Sequence, residues 1–425
     1  MTQPTANTPA EKAVSPRRWR RILPFVAVLG PGIIAASAGN DAGGIATYSQ
    51  DGARYGYATL WMIFLMTFSL VIVQEMAARM GAVTGKGFAA LIRERFGIRP
   101  TLFAMVCLLL SNAATSVAEF AGIAASLQIF GISKYISVPV AAVVVWLLVV
   151  RGSYRNVEKV LLLLSSVFLS YVIAAFLAKP DWGVVLKATV IPTFIPTTGF
   201  VLIVIATIGT TIAPWMQFFV QSNIVDKGTS VKDLTYTRVD VVGGAISANI
   251  VAWFIIVTTG AVLYPRGIAA NTAEGAAQAL APVAGQYAAT LFAIGLFGAS
   301  LLAAFVLPLT AAYAVTEAFG LERGIDRTWA EAPVFNGIFT FVILFGAAFV
   351  MIPNAPLFTI MVLSQAVNGM LLPFLLIYMM IIINDRRIMG RHVNGTVYNV
   401  MGWVTVAVVI ALTVALLGMQ AFGVG

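Results

Sequence analysis

Eleven times between residues 24 and 422 the chain runs apolar for long enough to cross a lipid bilayer, which takes about 17–25 residues per helix. The spans fall at about 24–50, 57–80, 101–130, 136–151, 157–178, 197–224, 240–264, 287–319, 334–352, 357–384 and 398–422, the fourth being the shortest. Inside hydrocarbon every backbone polar group needs a partner within the chain, so each span is predicted to be helical. Composition agrees: 60% of the 425 residues are hydrophobic and 10% charged, against roughly 45–50% and 25% in soluble domains. The expectation is an all-α polytopic membrane protein whose surroundings are the lipid bilayer. Cys107 is the single cysteine, so neither a disulfide framework nor a cysteine-based metal site is available. The net charge of +9 would suit nucleic acid, but most basic residues fall in short loops between apolar spans, which argues against that partner.

Those loops also give an orientation. With eleven spans and the N-terminus inside, 21 of the 26 lysines and arginines face the cytosol and five face out: Arg54, Lys134, Lys179, Lys187 and Arg266. Such a bias places the chain in a plasma (inner) membrane with its C-terminus extracytoplasmic. Residues 1–23 are polar and end in Arg17, Arg18, Arg20 and Arg21, which reads as a disordered cytosolic tail and not as a cleaved signal peptide.

Two spans are interrupted. In the first, Asp41 sits in the run Gly39-Asn40-Asp41-Ala42-Gly43-Gly44, a poor helix former around a carboxylate that should face a cavity or a partner instead of lipid. A helix broken at Gly43 around a carboxylate suits a cation site, whereas an ordinary loop between two short helices is the plainer alternative. In the sixth span Pro214 follows Gly209-Thr210-Thr211-Ile212-Ala213 and removes a backbone donor, so the helix breaks or at least kinks there. The interruptions lie five spans apart. Because five is odd, two successive five-helix units insert with opposite topology, as in inverted-repeat transporters of the LeuT type. The expected organisation is a first repeat over 24–178, a second over 179–384, and an extra helix within 385–425.

Other polar residues in apolar context divide between structure and function. Glu119 reads equally as a proton-relay group or as a neutral acid bonded to a neighbouring helix. Glu75 with Arg79, and Asp51 with Arg54, have the spacing of local ion pairs. Gln365 and Asn368 share a helix face and either join helices or ligate an ion. His392, the only histidine, falls in a basic cytosolic loop and receives no role.

Several motifs resemble those of the Nramp family of divalent-metal transporters: Gly30-Pro31-Gly32, the segment from Ala77 through Arg79, Gly81 and Gly85 to Lys86, Ser364-Gln365 through Leu372-Pro373-Phe374, and Asp385-Arg386-Arg387-Ile388-Met389-Gly390. The likeness runs through most of residues 29–410. It implies two inverted five-helix repeats plus an extra helix, with metal held between the unwound parts of helices one and six. It places Asp41, Gly44, Thr210, Ala213 and Gln365 at the metal site and leaves Glu119 as a proton-relay remnant. The departures matter most. Where the family has Asp-Pro-Gly-Asn, this chain has Asp41-Ala42-Gly43-Gly44, so the aspartate survives and the asparagine ligand does not. The methionine before Pro214 is Ala213, while Thr210 keeps a backbone carbonyl to offer. Trp215 follows the proline and Gln221 stands near the second histidine position, so both family histidines are absent, and Ser116 replaces an acid one turn before Glu119.

Thioether sulfur favours soft transition metals, whereas oxygen and water suit magnesium, calcium and manganese. Losing the methionine and the asparagine also enlarges the pocket. Mg²⁺ sheds water reluctantly and is held through few protein oxygens. The chain therefore looks similar to the divergent Nramp-related magnesium transporters, expected to carry hydrated Mg²⁺ and Mn²⁺ as substrates, without a cofactor, by alternating access and without proton coupling. A monomer is the simplest expectation. The nearest alternative is a proton-coupled Mn²⁺/Fe²⁺ importer of the ordinary family type. A more distant alternative is an amino-acid or sodium symporter of the same inverted-repeat fold, and Asp41 at the break speaks against an anionic substrate. An enzyme is disfavoured because no nucleophile or metal-ligand constellation accompanies Asp41 and Glu119.

Overall fold

A computed structural model of the chain describes residues 39–150, 166–324 and 327–422. The tail over 1–23, the first part of span one, the Gly30-Pro31-Gly32 motif, and the start of span five with Arg151, Arg155 and Lys159 lie outside them. Among the described residues the regular structure is helical. Helices of nine residues or more are α1 (Ala42–Tyr55), α2 (Leu60–Thr84), α3 (Phe88–Phe96), α4 (Ile98–Gln128), α5 (Lys134–Val150), α6 (Ser170–Ala178), α7 (Trp182–Val190), α8 (Thr198–Thr211), α9 (Pro214–Asp226), α10 (Leu234–Val262), α11 (Ala288–Phe319), α12 (Pro333–Val350), α13 (Leu357–Asn384) and α14 (Thr396–Ala421).

Eight helical segments among the described residues are long and apolar enough to cross a membrane, α8 and α9 counting as one, and two shorter apolar ones include α5 and α6. Large apolar side chains stand exposed on α2 (Phe64, Leu65, Phe68), α5 (Val140, Val143), α12 (Phe341, Leu344) and α14 (Val404, Val408). Soluble monomers rarely expose apolar surface on this scale, and lipid is the solvent that accepts it. The chain is an integral membrane protein.

Apart from spans one and five, which lie partly outside the described residues, the predicted spans coincide with helices to within about six residues, and α13 matches its span at both ends. Span two runs on to Thr84, where Gly85 takes a left-handed conformation (φ 64) and ends the helix with its amide on the Gly81 carbonyl. Two further helices occupy predicted loops: α3, and α7, whose first turn is capped by the Asp181 carboxylate accepting from the Gly183 and Val184 amides. Both are short and only partly apolar, so a search for spans passes over them.

Packing centres on α4, which lies against α11, α12 and α13, while α8 runs along α13 and α10 along α1 and α2. Small residues permit the closest approaches. A β-carbon on Gly209 of α8 would run into the Gln365 carbonyl oxygen and the Gly369 amide nitrogen of α13, so these two backbones touch directly. The Glu75–Arg79 ion pair forms at 3.1 Å, and Arg238 joins it through its Nε, 2.8 Å from Glu75 Oε1. Asp51 and Arg54 do not pair. Asp51 accepts from Thr59 Oγ1 at 2.7 Å, and Arg54 donates to Asn271 Oδ1 at 2.8 Å. Three residues apart on a helix, the two side chains diverge, one inward and one toward the surface loop carrying Asn271.

Candidate functional site

Both interruptions are present. Residues 40 and 41 are not helical, and α1 begins at Ala42 with Asp41 as its N-cap in extended conformation. The Asp41 carboxylate accepts the Gly44 amide at 2.6 Å, a charge-assisted bond to one of the free donors of a helix N-terminus. This capping starts the helix at once, so Gly43 belongs to its first turn, and the break lies at Asn40 and Asp41 instead. In the sixth span α8 ends at Thr211, Ile212 and Ala213 leave helical geometry, and Pro214 opens α9 at its first position. The span is broken outright, not merely kinked. Because residue 214 has no N–H, the Thr210 carbonyl is left without the amide that would satisfy it in a continuous helix.

The two breaks meet. A β-carbon on Gly44 would stand 2.8 Å from Thr210 Oγ1, 3.2 Å from the Gly39 carbonyl oxygen and 3.3 Å from Asp41 Oδ1. Three oxygens thus converge on the side chain that Gly44 lacks. Asp41 and Thr210 are buried, and the Thr210 hydroxyl has no hydrogen-bond partner. One turn farther along α1, Tyr48 OH and Thr211 Oγ1 lie 3.0 Å apart and tie α1 to α8.

Glu119 comes to the same place. Its Oε2 accepts the Ala42 amide at 3.2 Å, its carboxyl group interacts with that of Asp41, and Oε1 makes no hydrogen bond. α4 thus delivers a second carboxyl to the break, from a distance of 77 residues in sequence. Gln365 reaches the break too, its side chain lying against Gly43. Its Oε1, however, accepts from Asn368 Nδ2 at 2.9 Å, and Asn368 is bonded to Ser111 and Thr115 of α4. Asn368 joins helices; Gln365 stands at the break with its carbonyl engaged.

Ala213 caps α9, and its carbonyl accepts the Met216 amide at 3.1 Å. Met216 brings a thioether to the break, but with its methyl against Gly39 and its sulfur accepting from Gln74 Nε2 at 3.6 Å. Gln221 donates to the Lys86 carbonyl at 2.8 Å and Trp215 is buried edge-on to Phe219, so neither stands in for a histidine at the carboxyl pair. Among the described residues, no group of three or more His, Cys, Asp or Glu side chains gathers to hold a metal. What the arrangement offers a cation is one carboxylate, a second carboxyl behind it, a free hydroxyl and backbone carbonyls.

Sequence reading missed Gly39, Tyr48, Thr211 and the carboxyl pair. A signal for Tyr48 was present: Asp41, Gly44, Tyr48 and Asp51 recur at three- and four-residue steps and so share one helix face.

Comparison with known proteins bears on this geometry. The family model described as natural resistance-associated macrophage protein-like, Nramp, matches residues 32–418. A divalent metal cation transporter MntH of Aeromonas hydrophila is 30% identical over 95% of this chain and 97% of its own length. The MntH of Deinococcus radiodurans is 29% identical over 93% and 90%. Among solved structures, a mutant of the manganese transporter of Eremococcus coleocola superposes with a TM-score of 0.78 at 20% identity, over 98% of this chain and 89% of that one. Mhp1, a nucleobase-cation-symport-1 family transporter, superposes with a TM-score of 0.57 at 15% identity, over 92% of each chain. The chain shares their LeuT-type fold.

Proposed function

The chain belongs to the Nramp family, and on that premise we propose that it carries divalent metal ions across the membrane by alternating access, taking hydrated Mg²⁺ and Mn²⁺ at the meeting point of the two broken helices. The observation that carries the reading is the convergence of Asp41, the Gly39 carbonyl and Thr210 Oγ1 on the empty side-chain position of Gly44. Hard oxygen donors, few in number and beside a residue with no side chain, suit an ion that keeps part of its water shell. Asp41 supplies the charge, and the Thr210 hydroxyl and carbonyl supply neutral oxygens. Gly44 and Ala213 act by leaving room, and Gln365 lines the site. With the N-terminus inside, α9 runs from the break toward the cytosol, and the ion would leave along it.

Movement is proposed to be uncoupled from protons. Glu119 faces Asp41, but a relay needs further titratable groups toward the cytosol. Trp215 and Gln221 occupy the positions where histidines would serve, Ser116 replaces an acid, and α12 carries no charged residue. The membrane potential alone supplies about 2.3 kcal/mol per charge per 100 mV, hence about 4.6 kcal/mol for a divalent ion.

The test is Mn²⁺ uptake into proteoliposomes by the wild type and by Asp41→Ala at matched, folded protein levels. Loss of uptake in the variant is expected, and wild-type uptake would remove Asp41 from the site.

A further inference from the structure

Asp51 has no place in the site just described. It lies ten residues along α1 from Asp41, about 15 Å farther out at 1.5 Å per residue. It is fully buried, as are Thr207 and, nearly so, Thr59. Its Oδ2 accepts from Thr59 Oγ1 at 2.7 Å, while Oδ1 has no hydrogen-bond partner. Thr207, one turn before Thr211 on α8, directs its hydroxyl toward this carboxyl without a well-formed hydrogen bond to any group. Among the described residues no lysine or arginine pairs with Asp51, and Arg54 is committed to Asn271.

A carboxyl buried inside a membrane protein stays ionised only beside a counter-charge or a full set of hydrogen bonds, and here the chain supplies neither, so a cation is what would hold it charged. The same two helices that meet at Gly44 and Thr210 meet again at Tyr48 and Thr211, and a third time at Asp51 and Thr207. On α1 these contacts recur in steps of about one turn, at Gly44, Tyr48 and Asp51, while on α8 they fall on Thr210, Thr211 and Thr207. Beyond Asp51, Tyr55 and Phe200 close edge to face with ring centres 5.1 Å apart, and Phe194 packs on Phe200 at 5.7 Å.

We propose that Asp51, Thr59 and Thr207 form a second cation site, an outer station that receives the divalent ion before it reaches Asp41. The proposal rests on the reading of the breaks as the ion's pathway. One carboxylate and two hydroxyls form an all-oxygen set of low charge, fit for brief occupancy by a partly hydrated ion. Such a station raises the local concentration of cation above the inner site, and the aromatic pair beyond it shuts it from the outer solution in this conformation.

The experiment uses the full chain. Mn²⁺ binding stoichiometry is measured on the purified protein by equilibrium dialysis, with free Mn²⁺ read by electron paramagnetic resonance, and the external KM for Mn²⁺ is measured in proteoliposomes. The wild type should bind two Mn²⁺ per chain and Asp51→Asn one, with the external KM raised roughly tenfold, because ligand charge sets affinity at such sites. Asp41→Ala should lose flux yet keep one bound ion. Thr207→Val leaves the carboxylate in place and should also raise the external KM; it carries the test if Asp51→Asn does not fold. A single bound ion in the wild type, or two in Asp51→Asn with unchanged KM, overturns the outer station. Wild-type flux in Asp41→Ala instead overturns the central site, whatever Asp51 does.

Discussion

Replacing Gly44 by alanine puts a methyl group where three oxygens converge. Its carbon would sit 2.8 Å from Thr210 Oγ1, 3.2 Å from the Gly39 carbonyl and 3.3 Å from Asp41 Oδ1, all closer than ordinary van der Waals contact. The Thr210 hydroxyl must yield by about half an ångström, and overpacking of this kind costs about 1–3 kcal/mol. Gly44 is helical at a negative φ, so alanine recovers about 1 kcal/mol of helix preference. The net loss of stability is then about 0–2 kcal/mol, and the variant folds. The effect on the ion is larger, because an apolar group occupies the space in which cation and water would meet those oxygens. A tenfold rise in KM for Mn²⁺ corresponds to about 1.4 kcal/mol of lost binding and is the least expected. Mn²⁺ uptake in proteoliposomes, with thermal unfolding in detergent as the control for folding, makes the measurement. A Gly44→Ala protein with wild-type KM and rate would refute the placement of the ion on this face.

Three further outcomes follow from the same geometry. Gly44→Asn with Ala213→Met restores an amide and a thioether, and uptake of Mg²⁺ relative to Mn²⁺ should fall; an unchanged ratio in an active double variant would locate selectivity elsewhere. Gly209→Ala drives a methyl into the Gln365 carbonyl and the Gly369 amide of α13, which as backbone cannot turn aside, so the unfolding temperature in detergent should drop, by about 1–3 kcal/mol of stability, and an unaltered one would deny the direct contact of α8 with α13. Glu119→Gln keeps an oxygen for the Ala42 amide but removes the second carboxyl, so Mn²⁺ uptake should weaken several-fold and remain measurable; complete loss would make Glu119 as necessary as Asp41.

Much of the architecture is legible because a membrane leaves the chain few choices. Apolar length alone locates the spans, and both interruptions are marked by local chemistry: glycines around a carboxylate at Asp41, a missing amide at Pro214. What sequence conceals is the partner across space. Asp51 and Arg54 have the spacing of an ion pair, yet one turns inward to Thr59 and the other outward to Asn271, because spacing gives a face and not a rotamer. Glu119 could be read as a relay group or a bonded acid, but only the packing of α4 against α1 shows that its bond is to the amide beside Asp41. Gln365 illustrates the converse: its face is predictable from Asn368, whereas the engagement of its carbonyl by Asn368 is a matter of side-chain geometry. Short helices such as α3 and α7 escape for a third reason, since nine residues of mixed polarity carry no spanning signal.

The central claim is that an all-oxygen site takes Mg²⁺ and Mn²⁺ without moving protons. Proteoliposomes of the wild-type protein loaded with a Mg²⁺ indicator and a pH-sensitive dye measure both at once, with a potassium-diffusion potential, negative inside, as the drive. The account predicts Mg²⁺ entry that grows with the potential while luminal pH matches protein-free vesicles. Acidification of the lumen that rises with external Mg²⁺ or Mn²⁺, or Mn²⁺ entry with no Mg²⁺ entry at all, would contradict it.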